Sequence, residues 1–327
     1  MSPPLARLWA PLLGVALAFT VVATPATGAG SDAASVLQGD SCDHPAPTPT
    51  EPLAKPLRVG TFNIRANRST ADLTAALNAF LPYVDLAGLQ EINSKDKAQV
   101  LANFADNGWS FWRQYRTNIP AHPHQGGTEQ QPVLWRSDRF VCTYAGPVLM
   151  SRVFSLGGET QPAWDTTRPH FFTLVQLVDR VTGQKLSILN VHLAPGVIAG
   201  GRPVPGIPRH LRLYREMVAR LVAKAKSQVD YGQVFAMGDY NVGYLQDLAH
   251  RVRGLPYRKF HRIGFKSMWA TQTPANGMGT HNNALIDQVW SGKKATRAKV
   301  LFKLKGYSDH LPAVATYPQT AVSPPAG

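Results

Sequence analysis

Cysteine is nearly absent from this chain: Cys42 and Cys142 are the only two among 327 residues. That excludes a zinc ribbon, a cysteine-ligated iron–sulfur centre and a disulfide-dense small scaffold. Acidic residues are also scarce, 20 against 34 lysines and arginines, which leaves a formal charge of +14 and rules out an acidic solvating composition. Beyond the N-terminus no apolar run approaches the ~20 residues that a spanning helix needs. No Gly-x-Ser-x-Gly element, phosphate-binding P-loop or internal repeat is present, so a serine-hydrolase elbow, P-loop nucleotide hydrolysis and solenoid folds drop out. Neither cysteine stands near a candidate histidine, and a thiol nucleophile has no support.

What is present starts with a targeting segment. Arg7 precedes the apolar stretch Leu12–Val22, and the small-residue run ATPATGAG follows it. This pattern predicts a secretory signal peptide over residues 1–29, cleaved after Ala29, and therefore an exported protein with no transmembrane anchor. Residues 30–56, rich in Ala, Ser, Pro and Thr, read as a disordered lead-in. Residues 57–319 are long enough for one large α/β domain, expected to be monomeric, and residues 320–327 form a Pro-containing tail. In an oxidising compartment Cys42 and Cys142 could bridge, tying the lead-in to the body. The other reading leaves Cys142 as a buried thiol in the strand-like run FVCTY.

The periodicity predicts strands at Leu57–Ile64, Leu86–Gln90, Pro132–Trp135, Phe140–Tyr144, Phe171–Val178, Lys185–His192, Gln233–Met237, Ala284–Trp290, Lys299–Lys303 and Ala313–Tyr317. Helices are expected at Ala71–Phe80, capped by Ser69 or Thr70, at Lys95–Ala105 and at Arg209–Ala225. Thr182-Gly183 reads as a hairpin turn. Interleaved strands and helices place the chain in the α/β or α+β class. Three Gly- and Pro-rich loops, Tyr115–Gln131, Ser151–Pro169 and Ala194–Pro208, are where specificity would be set.

Six polar clusters fall where apolar strand-like runs end: TFNIR with Asn63, LQE with Glu91, NVHL with His192, GDYN with Asp239 and Asn241, LIDQVW with Asp287, and YSDHLP with Asp309 and His310. Singly each is unremarkable. Glu91 alone would be a strand end, His192 a satisfied core histidine, and GDYN a turn. Together they supply what metal-assisted phosphoester hydrolysis requires, because carboxylates and amides converging from strand ends offer the oxygen-only site that magnesium accepts. His122 and His124 lie in a loop with no further ligand nearby, so they read as loop residues or substrate contacts, not a zinc pair.

In this order the clusters resemble the endonuclease/exonuclease/phosphatase superfamily, which includes pancreatic-type deoxyribonucleases, abasic-site endonucleases, neutral sphingomyelinases and inositol polyphosphate phosphatases. The resemblance runs from about Leu57 to about Tyr317. It implies a four-layered α/β sandwich, two packed β-sheets flanked by helices. It implies a Mg2+ site, with Mn2+ as a substitute, built on Glu91 with Asn63 and Asp309. Asp239 would deprotonate the attacking water, and Asn241 would hold a phosphate oxygen. His192 and His310 would face the scissile phosphate, with Asp287 orienting His310. Arg65 stands where some nuclease relatives carry an acidic residue, which counts against two metals. The Arg-x-x-Gln pair often found on the helix after the first histidine is also missing.

Positive charge is spread along the chain, not gathered in one block, and it fits a polyanionic phosphoester substrate such as nucleic acid. Arg209, Arg212 and Arg215 on the third helix are the expected substrate contacts. The reading is an exported metal-dependent nuclease. Its alternatives are a sphingomyelinase- or phospholipase C-like enzyme, for which Val197 and Ile198 would have to meet the membrane, an inositol or sugar phosphate phosphatase, and a catalytically inactive binding protein of the same fold.

Overall fold

A computed structural model describes residues 42, 56–105, 107–114, 131–153, 155–159, 169–272 and 279–319. The expected signal peptide and tail, the lead-in apart from Cys42 and Pro56, and the loop bearing His122 and His124 lie outside the described residues. Two six-stranded mixed sheets make up the frame. The first holds β1 (Leu57–Asn63), β2 (Leu86–Gln90), β3 (Trp109–Trp112), β4 (Val133–Arg136), β13 (Arg297–Val300) and β14 (Ala313–Tyr317), in the order β13-β14-β1-β2-β4-β3. The second holds β5 (Phe140–Ser151), β6 (His170–Asp179), β7 (Lys185–His192), β10 (Gln233–Asp239), β11 (Lys266–Ser267) and β12 (Asp287–Ser291), in the order β11-β12-β10-β7-β6-β5. A short ribbon, β8 (Ile198–Ala199) with β9 (Arg202–Pro203), fills the loop after His192.

Each sheet has one parallel pair at its centre, β1 with β2 and β7 with β10. Parallel neighbours need a crossover, and helices α1 (Thr70–Phe80) and α3 (Pro208–Ser227) provide it. At the start of α1, Ser69 accepts from the Asp72 backbone N–H at 3.1 Å while the Asp72 carboxylate accepts from the Ser69 N–H at 3.2 Å. That reciprocal cap fixes where the helix begins. Helix α3 starts on Pro208 without a side-chain cap of its own. Glu159 supplies the missing acceptor from a distant loop, receiving the Arg209 and His210 N–H groups at 2.9 and 3.0 Å, where an anion is favoured by the helix dipole.

The layers follow from which faces are apolar. Leu73, Leu77 and Phe80 of α1 and Val100, Leu101 and Phe104 of α2 (Lys95–Ala105) are buried with Phe62, Leu89 and Val314 of the first sheet. A second core joins Val59, Leu86 and Trp135 to Phe235, Met237 and Val289 across the sheets, and extends to Leu213, Met217 and Leu221 of α3. Phe235 and Tyr317 meet edge to face across the sheet interface, centroids 4.9 Å apart. The outcome is the expected four-layered α/β sandwich. Among the described residues, no helix is long and apolar enough to cross a membrane.

The sheets also touch through polar groups. Gln90 Nε2 donates to Asn190 Oδ1 at 2.7 Å, and Asn190 Nδ2 donates to the Leu89 and Pro132 carbonyls at 2.8 Å each. A Cβ on Gly88 would fall 2.6 Å from Asn190 Oδ1, so glycine is required for this approach.

Several boundaries differ from the periodicity. Strand β3 was not expected. Strand β5 runs past Tyr144 to Ser151 through Pro147 and two register shifts, which an edge strand tolerates because one side of its backbone need not pair. Strand β12 begins at Asp287, not Ala284, because Asn282 and Asn283 take left-handed turns just before it. Strand β13 ends at Val300, and residues Phe302–Leu304 form a 3₁₀ turn. Helices α4 (Tyr244–His250) and α5 (Pro256–His261) are too short to show a period.

Cys42 and Cys142 form a disulfide with Cα atoms 4.6 Å apart, which resolves the open choice in favour of the bridge. It closes a loop of 100 residues. Losing it in Cys142→Ser should cost roughly 2–5 kcal/mol, read from urea unfolding of the oxidised protein and the variant. Titration of the denatured wild type should find no free thiol.

Candidate active site

The register brings the six clusters to one end of the sandwich. Asp239 lies opposite both His192 and Asp287 in the second sheet, while Asn63 lies opposite Gln90, next to Glu91, in the first. Asp309 and His310 come just before β14, at the same end. Gly238, with φ 143°, allows β10 to press against β7, since a Cβ there would sit 1.9 Å from the Val191 carbonyl oxygen. The close approach at this glycine is thus to a neighbouring strand.

Asn63 connects the two sheets within the site. Its Nδ2 donates to Glu91 Oε1 at 2.9 Å and to Asp239 Oδ2 at 3.2 Å, while its Oδ1 accepts from the Arg65 N–H at 3.0 Å. That last bond sets the amide orientation. Asn63 therefore turns its NH₂ group toward the carboxylates, and its oxygen, the predicted metal donor, is engaged by backbone. Glu91 has φ 66°, a left-handed conformation costly for a residue with a side chain, and its second oxygen accepts from the Ala66 N–H. Buried Lys97 holds that turn in place, donating to the Ala66 carbonyl at 2.7 Å; burial lowers its pKa, and Glu91 opposes the shift.

The second-sheet half is a chain of charges. His310 Nδ1 lies 2.9 Å from Asp287 Oδ2, and its Nε2 lies 3.8 Å from Asp239 Oδ2. His192 Nε2 lies 3.5 Å from the same Asp239 oxygen. Asp287 and Asp239 are almost fully buried, and His310 is 6% exposed. Burial works against a charged imidazole, but Asp287, then Asp239 and Asp309, outweigh it and push the His310 pKa up to about 10. Burial raises the Asp287 carboxyl in turn, and His310 opposes that rise. The direction that decides the chemistry is that of His310, which holds a proton near neutrality with its Nε2 side toward the site.

Asn241, with φ 50°, donates its backbone N–H to Asp239 Oδ1 at 2.8 Å and its Nδ2 to the Leu193 carbonyl at 2.8 Å. One of its two amide protons is thus committed to the loop after His192, and the other remains available to a ligand. Asp309 is 37% exposed at its side chain and pairs with Arg65 at 3.4 Å. Arg65 therefore faces a predicted metal-site carboxylate.

Of the three expected substrate arginines, Arg209 and Arg215 have their neighbours outside this cluster. The Arg209 backbone is bound by Glu159, its guanidinium lies against Gly157, and Arg215 packs against Gly254. Four contributors had no assigned part in the sequence reading. Ser308 donates to the Asn63 carbonyl at 2.8 Å and accepts from the His310 N–H at 3.2 Å, which ties β14's lead-in to β1. Thr280 accepts the Ile286 and Asp287 N–H groups at 3.1 Å each, and Trp269 donates to the Asp287 carbonyl at 3.0 Å. His281 stacks on His310, centroids 4.3 Å apart. Ser308 lies within a quoted motif, but a histidine in a polar turn gives no periodic signal.

Among the described residues, two groups could offer converging metal-ligand atoms: His281, Asp309 and His310, and Asp239, Asp287 and His310. A protonated His310 has no lone pair to give, so the oxygens of Glu91 and Asp309 are the better donors. With no sulfur among them, this set suits a hard divalent cation.

By sequence, the chain matches no known protein family and no curated protein. Solved structures do match. An endonuclease/exonuclease/phosphatase from Bacteroides vulgatus superposes with TM-score 0.56 at 16% identity, covering 80% of this chain and 98% of the other. D. rerio TDP2 complexed with single-strand DNA product gives TM-score 0.51 at 14% identity, over 80% and 99%. The Bacteroides thetaiotaomicron mannosyl-6-phosphatase gives 0.54 at 17% identity, over 80% and 99%. In this chain that shared architecture is two six-stranded sheets flanked by helices, and its fold is that of the endonuclease/exonuclease/phosphatase proteins.

Proposed function

We propose that this protein is an exported, metal-dependent phosphodiesterase that hydrolyses nucleic acid. The observation carrying the reaction class is the buried Asp287–His310–Asp239–His192 array, joined through Asn63 to Glu91. Two imidazoles meet at one carboxylate, beside a second carboxylate open to ligands. That is an arrangement for an anionic centre attacked by water.

Asp239 is the proton acceptor. Its Oδ1 is fixed by the Asn241 N–H, and Oδ2, which accepts from Asn63 and faces both imidazoles, takes a proton from a water held in line with the scissile bond. His310, kept charged by Asp287, and His192 stabilise the negative charge that grows on the phosphoryl oxygens. Glu91, with Asp309 at the mouth, would hold Mg2+ or Mn2+, and such a cation supplies Lewis-acid polarisation of the phosphate. Asn63 keeps Glu91 and Asp239 at their separation. No covalent intermediate is needed.

The choice of nucleic acid rests on charge and surface chemistry. The net charge of +14 suits a polyanion. The fold accommodates such a substrate in TDP2, crystallised with single-strand DNA product. A lipid substrate finds little to dock on: Val197 is fully buried and Ile198 partly so in the ribbon after His192.

Chelation should abolish activity, and Mg2+ or Mn2+ should restore it. Glu91→Gln should blunt that restoration without changing the far-UV spectrum. A screen across DNA, RNA, sphingomyelin and sugar phosphates tests the substrate; turnover of sphingomyelin alone would overturn the nuclease reading.

His310→Ala and His192→Ala should each reduce turnover by roughly 10²–10⁴. Asp287→Asn should fall short of additivity with His310→Ala, because both act on one ring. In the wild type the His310 imidazole should titrate near 10 by NMR, and in Asp287→Asn it should fall toward its ordinary 6.5. Since the folded value is the higher one, its contribution to stability is complete below about 6.5 and is lost as pH rises through about 10.

A further inference from the structure

Beside Asp309 the surface opens into a cavity of about 620 Å³ that the chemistry above does not use. One wall is the turn His281–Asn283, and the other is formed by Phe302, Lys305 and Gly306. The turn is built to present polar groups. Asn282 and Asn283 both take positive φ, and Asn282 Nδ2 lies 2.7 Å from His281 Nε2, while His281 Nδ1 lies 3.1 Å from the Asp309 carbonyl. His281 thereby locks this wall to the ring of His310. Opposite stands Phe302, 39% exposed and the only phenylalanine among the large exposed apolar side chains of the described residues. Leaving such a ring in water forgoes part of the roughly 1.5–3 kcal/mol that burial would give.

The Phe302 wall also belongs to a stretch with charge of one sign only. Between Asp287 and Asp309 there are six lysines and arginines and no acidic residue. Lys303 and Lys299 both sit over the ring of Tyr83, at 4.4 and 4.8 Å. The nearby carboxylate of Asp85 is already shared by Arg58 and Arg139. Lys299 has its pKa lowered by burial and by Arg297, with Tyr83 opposing and Lys303 and Arg58 adding to the shift. Like charges crowded without a counter-charge have an obvious complement in successive phosphates.

We infer that this cavity receives the nucleobase next to the scissile phosphate, stacked on Phe302, while the following phosphates run past Lys305 toward Lys303 and Lys299. An aromatic face, side-chain amides and a cationic track are the combination by which single strands are held. Only Phe302 and Leu311 among the lining residues are large and apolar, and they stand with histidine, asparagine, serine, aspartate and lysine, a mixture that suits a base better than an acyl chain. The inference rests on the phosphodiesterase reading and adds where the strand lies. It moves the substrate track from the arginines of α3 to the edge of the first sheet.

The test uses the full chain with Mg2+, a single-stranded oligonucleotide, the same strand abasic at the flanking position, and bis(p-nitrophenyl) phosphate. For Phe302→Ala, the ratio of kcat/KM on the oligonucleotide to that on the small diester should fall about tenfold, the effect of one lost stacking contact. Phe302→Trp should restore it. On the abasic strand, Phe302→Ala and wild type should differ little. Lys303→Gln with Lys305→Gln should flatten the dependence of oligonucleotide KM on salt. An unchanged ratio in Phe302→Ala, or an equal loss on the abasic strand, overturns the subsite while leaving the nuclease reading intact. A wild type that cleaves the small diester or a sugar phosphate but neither oligonucleotide overturns the nuclease reading and the subsite with it.

Discussion

Beneath the site the two sheets are joined by amides as well as by hydrocarbon, and the geometry above depends on that junction. Thr61 donates to Gln90 at 3.2 Å, Gln90 to Asn190 at 2.7 Å, and Asn190 to two carbonyls of the opposite sheet. Each of the three side chains lies one or two residues before a site residue: Thr61 before Asn63, Gln90 before Glu91, Asn190 before His192. All three are fully buried, so each lost bond would strand a polar group at a cost of about 1–3 kcal/mol. A slip of one sheet over the other would break several such bonds together. Apolar contacts alone would permit small slides; these amides do not, and the 3.2 Å contact of Asn63 with Asp239 follows from them.

Above that junction the site is a balance of buried charge. Asp239 and Asp287 are nearly inaccessible, and their cost is met by His310 and His192 and by backbone and amide donors. The balance is looser around Glu91 and Asp309, where the carboxylates meet neutral donors, the buried Lys97 and a half-exposed arginine. A closed structural network would neutralise itself fully. One that leaves carboxylates open to solvent beside an imidazolium has room for both a cation and an anionic substrate.

Recognition draws on different parts of the chain. The reactive groups stand on strand ends, while the cavity walls are turns inserted between β11 and β12 and between β13 and β14. One superposable structure bears a DNA product, and another is a mannosyl-6-phosphatase, so this frame by itself does not set the substrate. Turns can change shape and chemistry without disturbing the amide junction below, and this allows one reaction to serve different phosphoesters.

Much of the frame was legible because hydrophobic periodicity is local. Lys185–His192, Leu86–Gln90, Ala313–Tyr317 and Lys95–Ala105 form as the pattern predicts. Elements whose identity depends on distant partners were not legible: β3, which pairs along β4, and the short helices α4 and α5, which are held by packing. The residues of the site were legible as types at strand ends, and the Asp287–His310 pair only through the family resemblance. Asn63 reads equally as oxygen or nitrogen donor until the Arg65 N–H orients its amide. The arginines of α3 form a visible basic face, yet which way that face points is set by packing against the second sheet. His281 carries no signal until the turn lays it on His310, and Phe302 looks like any apolar residue until the fold leaves it in solvent. By itself, then, the sequence determined the strands, the reactive residue types and their order, since these follow from neighbours along the chain. Only the tertiary structure decided which atoms face one another, which cations border the site and where a substrate can lie, because those depend on contacts between residues far apart in sequence.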